Sequence, residues 1–395
     1  MDAYGALLGG VLYPAWERGV RRRPTLRYLA ELVATERAPL HTLRALQERR
    51  LRRLATHAVD HVPFYRERFA AAGLTPASLT LENLARLPVL TRREAADSAD
   101  SRRSQAPPFA VIKKTTGGTT GEPLVIRYDL DSEHRRQAMK LRGYGWAGYR
   151  IGDPVLHYWG AATRPDTPRR QRVKAWLDHA MKREVYLDCT PRGEAHLADT
   201  VALIRARKPR VLICYAQAGA DLARYIVANR ARAWDDIAVI TGAEALLDLD
   251  RTAFEQAFGP RVCETYGCRE HMLIGIECGA RRGLHLSMEN LVVEVVVRDG
   301  DATRPAAPGE TGEVVITDLH NYGAPFIRYA NGDLAATAEP GSCPCGRSHL
   351  RLARIEGRST ETLRDAAGNR IGGMVFNLAF SPLAEHVRQF QAIQH

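Results

Sequence analysis

An α/β fold of helix-covered sheets with a smaller antiparallel β subdomain is what this chain predicts, on three observations. Short apolar segments alternate with helical stretches from about residue 110, longer β-branched runs fill the region after residue 290, and a helical lead-in precedes both. In the lead-in, Leu43, Leu46, Leu51, Leu54 and Ala58 recur at near-helical spacing among Arg, Gln and Glu, which predicts helices within residues 24–60. Val111-Ile112 and residues 154–158 and 211–215 are short and apolar, as strands between helices are. Residues 291–297 and 313–317 are β-branched and flank a Gly/Pro-rich turn near residues 305–309, which suits an antiparallel pair. No internal repeat or low-complexity tract interrupts this order.

Composition narrows the class. A chain of 395 residues has length for a large buried core. The net charge of +11 comes from 50 Arg and 6 Lys, but clusters such as Arg21-Arg22-Arg23 and Arg49-Arg50 with Arg52-Arg53 are short. No aromatic-interleaved signature accompanies them, so no nucleic-acid partner is expected. No apolar run has the length of a membrane span, and no basic n-region or cleavage pattern follows Met1-Asp2, so a cytoplasmic location is expected. Residues 7–16 are apolar enough to lie on a membrane surface, with packing against the protein body as the plainer role. Seven cysteines, an odd number, without a secretory signal argue against a disulfide framework and leave metal binding open.

The most informative run is Thr115-Thr116-Gly117-Gly118-Thr119-Thr120-Gly121-Glu122-Pro123. Gly117 and Gly121 let backbone N–H groups turn toward an anion, and the threonines add hydroxyl donors. It is not the common P-loop, because Glu122 and Pro123 stand where that motif carries Lys and Ser or Thr.

This run resembles the phosphate-binding loop of the adenylate-forming (acyl-CoA synthetase) superfamily. Further motifs of that superfamily follow in its order: Thr241-Gly242-Ala243-Glu244, Tyr266-Gly267-Cys268-Arg269-Glu270, residues 328–334, and Arg354-Ile355-Glu356-Gly357-Arg358. Residues 311–317 leading to 324–329, Cys343-Pro344-Cys345-Gly346-Arg347, and residues 61–66 narrow the likeness to the phenylacetate-CoA ligase group and its capsular-polysaccharide (CapK-like) cousins.

The resemblance implies a large ATP- and acid-binding domain over residues 1–357, with residues 1–85 as its helical lead-in, then a hinge and an incomplete C-terminal domain over 358–395. It implies that Thr115, Thr116, Gly117, Gly118, Thr119, Thr120 and Gly121 hold the β- and γ-phosphates of ATP, with Glu122 facing solvent. Glu270 takes the Mg²⁺-binding position, a suitable task for a hard carboxylate near phosphates. Tyr266, with Gly267 beside it, stacks on adenine, and Gly242, Ala243 and Glu244 edge the base. Asp333 accepts the ribose hydroxyls, and Arg354 and Arg358 belong to the hinge side of the nucleotide site. Thr120, Arg269 and Glu270 stand closest to the chemistry. Arg269 occupies a place usually given to Ser or Thr, and Thr360 stands where a hinge Asp is common. Relatives place a charge-neutralising lysine on the small domain, beyond the end of this sequence, so slow adenylation is expected of the chain as it stands. Tyr144, Trp146, Tyr158, Trp159, Tyr215 and Ala216 are the candidates for the acid pocket, compatible with an aryl or other apolar acid.

Cys343-Pro344-Cys345 places two thiolates close together, and six residues separate Cys278 from His285 on a loop entering a strand. Three sulfurs and one imidazole form a set suited to structural Zn²⁺, with Cys263 and Cys268 as alternative ligands and Cys189 and Cys214 as core residues. The same residues recur in relatives of the phenylacetate-CoA ligase group.

The expected function is therefore an ATP-dependent ligase that forms an acyl-adenylate and pyrophosphate and passes the acyl group to CoA. An amine or sugar acceptor, or a non-catalytic nucleotide-binding role, are the alternatives. ATP, Mg²⁺, Zn²⁺ and CoA are the expected cofactors, a basic surface would recruit the anionic ones, and a homodimer is a candidate assembly.

Overall fold

The computed structural model describes residues 2–115, 124–160, 168–191, 193–299, 302–339 and 341–358, together with the two-residue strands Leu363–Arg364 and Arg370–Ile371. The phosphate-loop positions 116–123 and the hinge position Thr360 lie outside the described residues. Two compact units divide the chain. The first comprises Met1–Ala30, Lys140–Gly267 and Ile276–Arg281, and the second Glu31–Met139, Cys268–Gly275 and the chain from Arg282 onward.

Five parallel strands organise the first unit, in spatial order Glu184–Asp188, Val155–Trp159, Val211–Tyr215, Ala238–Gly242 and Val262–Cys268. A parallel sheet covered on both faces needs continuous apolar strands, and residues 211–214 and all of Ala238–Gly242 are buried. Successive side chains point to opposite faces, so Leu212, Cys214 and Val239 join the core under the helices Glu194–Arg207, Ala216–Ala228 and Asp248–Phe258. Val211, Ile213 and Ile240 instead pack against Ala147, Tyr149 and Tyr144. Each fully buried Val, Leu or Ile side chain contributes about 1.5–3 kcal/mol relative to exposure. Cys189 and Cys214 are core residues, as expected.

Antiparallel pairing organises the second unit. Leu291–Asp299 lies between Ala302–Pro305 and Thr311–Asp318; the latter pairs with Tyr329–Thr337, which pairs with Arg351–Arg358, which pairs with Leu284–Leu286. The helices Leu40–His61 and Pro63–Ala71 pack Leu51, Leu54, Ala58, Tyr65 and Phe69 against Val292, Leu319 and Ile327. Leu43 is buried as the periodicity predicts, but Gln47 takes the inward position beside a half-buried Leu46. Gln47 is accommodated because its Nε2 donates to the Leu291 carbonyl at 2.7 Å.

Two further features position the site. Val111–Thr115 and Val125–Asp129 form a hairpin with Thr115 opposite Val125, so the first threonine of the Thr/Gly run ends a strand. The short helix Arg92–Asp97 starts with a Thr91 side chain accepting from the Glu94 N–H at 3.2 Å, the Thr-x-x-Glu pattern of a capping box. Buried Arg328, in the left-handed region at φ 52°, pairs with Glu294 at 3.0 Å and donates to the carbonyls of Ala85 and Leu87.

Candidate active site

In open parallel sheets, ligands bind beyond the carboxyl ends of the strands. In the first unit those ends carry the residues read from the sequence. Val155–Trp159 ends in Trp159, Val211–Tyr215 in Tyr215 followed by Ala216, and Ala238–Gly242 in Gly242 followed by Ala243 and Glu244. The rings of Trp159 and Tyr215 stack with centroids 4.2 Å apart at 19°. Gly242 sits against this shelf. A Cβ there would come within 2.8 Å of Thr265 Oγ1 and 3.5 Å of the Trp159 ring, so only glycine fits without displacement.

Ties between neighbouring strands fix this end. Thr265 Oγ1 donates to the Thr241 carbonyl at 2.6 Å. Ala243 adopts φ 67°, and Glu244 accepts from the Gln217 N–H at 3.0 Å, where the helix Ala216–Ala228 begins. Tyr266 is buried in the last strand and Gly267 is half-buried beside it. Glu264 accepts from the Leu246 N–H, and burial, with the nearby Glu277 carboxylate, raises its pKa to about 7.

Of the other acid-pocket candidates, Tyr144 packs against the same core cluster as Trp159, while Tyr158 and Trp146 have other surroundings. Tyr158 points to the opposite face of its strand and packs in the helix-side core. Tyr144 packs edge-to-face on Tyr149, and Trp146 lies beneath the Arg142 guanidinium, in a cleft shared with Arg261 and Val262 at the amino end of the last strand.

Two carboxylates anchor the site residues of the second unit. Glu270 is 4% exposed; Arg92 NH1 lies 3.2 Å from its Oε1, and the Tyr329 hydroxyl donates to the same oxygen at 3.3 Å. Burial and the Glu270 charge push the Tyr329 phenol well above its ordinary pKa, so it stays a donor. Arg269 is exposed, and its NH1 donates to the Thr115 carbonyl at 2.9 Å, where the strand Val111–Thr115 ends.

Asp333 lies in the turn Asn331-Gly332-Asp333. Asn331 Nδ2 donates to its Oδ2 at 2.6 Å, Asn331 Oδ1 accepts its N–H at 3.1 Å, and Arg358 Nε lies 3.0 Å from its Oδ1. A carboxylate has about four lone-pair sites, so two engaged oxygens can still accept from hydroxyls. Arg354 is exposed on the strand that carries Arg358 and pairs with Glu356.

In the second unit, the ligand atoms of His285, Cys343 and Cys345 lie within 4.8 Å of one another, with Cys345 Sγ 3.4 Å from His285 Nε2. Burial, with the positive charge of Arg351 and Arg347 nearby, lowers the His285 pKa to about 4 and keeps the imidazole neutral, the form that ligates a metal. Two sulfurs and a neutral imidazole nitrogen suit Zn²⁺. Cys278, the fourth member read from the sequence, is buried on the segment Ile276–Arg281 of the first unit.

Sequence reasoning assigned no role to Arg92, Tyr329 or Asn331. Arg92 carries no motif, and only the fold brings it to Glu270 across 178 positions. Tyr329 and Asn331 stand inside the motif of residues 328–334, where a donor two residues before Asp333 was a usable signal.

No family model matches the chain. Among known proteins it is 29% identical over 337 residues to the phenylacetate-coenzyme A ligase of Thermus thermophilus, covering 83% of this chain and 73% of that protein. It is 27% identical over 350 residues to the Escherichia coli phenylacetate-coenzyme A ligase, and 23% identical over 366 residues to protein CapK of Staphylococcus aureus, which spans 92% of this chain and 77% of CapK. A solved 2-hydroxyisobutyryl-CoA ligase, in an open conformation with its acyl-AMP and CoA, superposes with a TM-score of 0.67 at 20% identity, covering 88% of this chain and 82% of that one. The chain is thus a relative of the phenylacetate-CoA ligases and CapK, and its fold is that of an adenylate-forming CoA ligase.

Proposed function

We propose that this chain is an AMP-forming ligase that activates a carboxylic acid with ATP and transfers the acyl group to CoA. In the first half-reaction a carboxylate oxygen of the acid attacks the α-phosphorus and the bond to pyrophosphate breaks. In the second the CoA sulfur attacks the acyl carbon and AMP departs. The substrate supplies the nucleophile, so the protein's work is orientation and charge screening.

The observation that carries this reading is the pair of pre-set carboxylates in the second unit, in a chain related over 83% of its length to phenylacetate-CoA ligases. Glu270, held by Arg92 and Tyr329, would take Mg²⁺, which screens phosphate charge when bound. Asp333, held by Asn331 and Arg358, would accept the ribose hydroxyls. Arg269, tied to Thr115, would present its remaining N–H groups to the α-phosphate. Residues 115–121 would cradle the outer phosphates, and Tyr266 with Gly242, Ala243 and Glu244 would receive adenine. The flat Trp159–Tyr215 shelf favours an aryl acid. Zn²⁺ held by Cys278, His285, Cys343 and Cys345 would be structural, because four protein ligands leave no open position.

The test is carboxylate-dependent exchange of labelled pyrophosphate into ATP, with phenylacetate leading a panel of aryl and aliphatic acids. Exchange with an aryl acid is expected, and no exchange across the panel overturns the reading. Product masses with CoA, amino acids and amino sugars then identify the acceptor; an amide or ester without a CoA thioester would replace the CoA assignment.

A further inference from the structure

We infer that residues 3–20 and the helix Arg169–Lys182, both in the first unit, form a docking face for the anionic headgroups of a lipid bilayer. Residues 3–20 are one helical run that alternates α and π turns. Its inner side is fixed by close approach: a Cβ on Gly9 would lie 2.1 Å from the Ile151 carbonyl oxygen, and Leu8 and Tyr13 are buried. Its outer side exposes Tyr4, Leu7, Val11, Leu12 and Val20.

The helix Arg169–Lys182 lies alongside this run. Trp16 Nε1 donates to Asp178 Oδ1 at 3.1 Å, and Arg21 and Arg23 pair with the other oxygen of Asp178. None of its residues is buried, and Val173, Trp176 and Leu177, at i, i+3 and i+4 spacing, share one exposed stripe. Trp176 is 66% exposed. Of the 14 exposed large hydrophobic residues among the described ones, 8 fall in these two elements, which is concentration rather than scatter.

Charge identifies the occupant. Arg18, Arg169, Arg170, Arg172 and Lys174 are exposed on the same two elements. Their only acids, Glu17 and Asp178, are engaged by Arg21 and Arg23. The outward charge is therefore of one sign. A second copy would bring like charges together, which opposes self-association. An apolar stripe with an exposed tryptophan and a fringe of arginines matches the boundary layer of an anionic membrane. Among the described residues no helix is long and apolar enough to cross a bilayer, so the contact lies on the surface.

The experiment is co-sedimentation of the full chain with vesicles of phosphatidylcholine alone and of phosphatidylcholine with phosphatidylglycerol as the minor component. Binding is expected only to the mixed vesicles, with release as NaCl rises to about 0.5 M. The triple variant Arg169→Gln, Arg170→Gln, Arg172→Gln and the double variant Val11→Ser, Trp176→Ser should each lower partition by at least about tenfold, since each basic residue near such a surface contributes about fivefold. These side chains are exposed, so circular dichroism melts should match the parent. No binding to either vesicle, equal binding to both, or parental binding by both variants overturns the inference. So does a dimer in sedimentation velocity that the double variant dissociates without change in vesicle binding, which would mark a protein interface.

Discussion

Glu270 is the side chain on which the proposed chemistry can be tested most directly. Its carboxylate is buried and pre-aimed by two donors, so Glu270→Ala should lower pyrophosphate exchange by at least about a hundredfold, a loss comparable to removing one preorganised electrostatic group. Arg92 is partly exposed and its charge stays solvated, so the melting temperature should change little; a variant that unfolds would make Glu270 a structural residue instead. Glu264 makes the opposite case, an acid kept from ionising. Its folded pKa of about 7 lies above the unfolded carboxylate value, so the folded state holds the proton between about pH 4.5 and 7 and stability falls as pH rises through that window. Glu264→Gln should therefore raise stability above pH 7 by about 1–2 kcal/mol, discounted for partial exposure, with the gain gone below pH 4.5. Denaturant melts at pH 4.5 and 8 check the sign. Glu270 and Asp333 were candidates from the sequence because each lies in a local motif. Arg92 was not, because its partnership depends on a chain reversal that no local spacing encodes.

At the level of elements, the carboxyl ends of the parallel strands gather what the sequence scattered. Apolar runs gave the strands, and the fold then set Trp159, Tyr215 and Gly242 side by side. Pattern alone could not rank the aromatics. Tyr158 and Trp159 are adjacent in sequence, yet the period of two sends one into the core and the other toward the shelf. Gly242→Val should force the Thr265 hydroxyl and the Trp159 ring apart, costing about 1–3 kcal/mol in stability as overpacking does. It should also raise KM for an aryl acid at least about tenfold, with a smaller effect on KM for ATP. Equal effects on both would place the shelf outside the acid's path.

Across the whole molecule, the order of motifs and the alternation of strands and helices were enough to read an adenylate-forming fold. The Cys/His cluster was visible in the sequence as a set of residue types, but the convergence of His285 with Cys343 and Cys345 depends on which strand lies beside which. If it holds zinc, the purified protein should carry one equivalent by atomic emission, and stripping it should lower Tm by at least about 5 °C. Metal-free protein with an unchanged melt would leave these side chains as reduced core residues. The hairpin of Val111–Thr115 with Val125–Asp129 has a longer reach. Five paired positions hold the two stems together, so Thr115 and Val125 lie about one strand spacing apart, near 5 Å. Closing the ends of the segment between them is thus already accomplished by the stems, and each doubling of its length would cost only about 0.6 kcal/mol. The segment proposed to bind phosphate can thus change length or composition at small cost, because the stems that flank it are held by their own pairing.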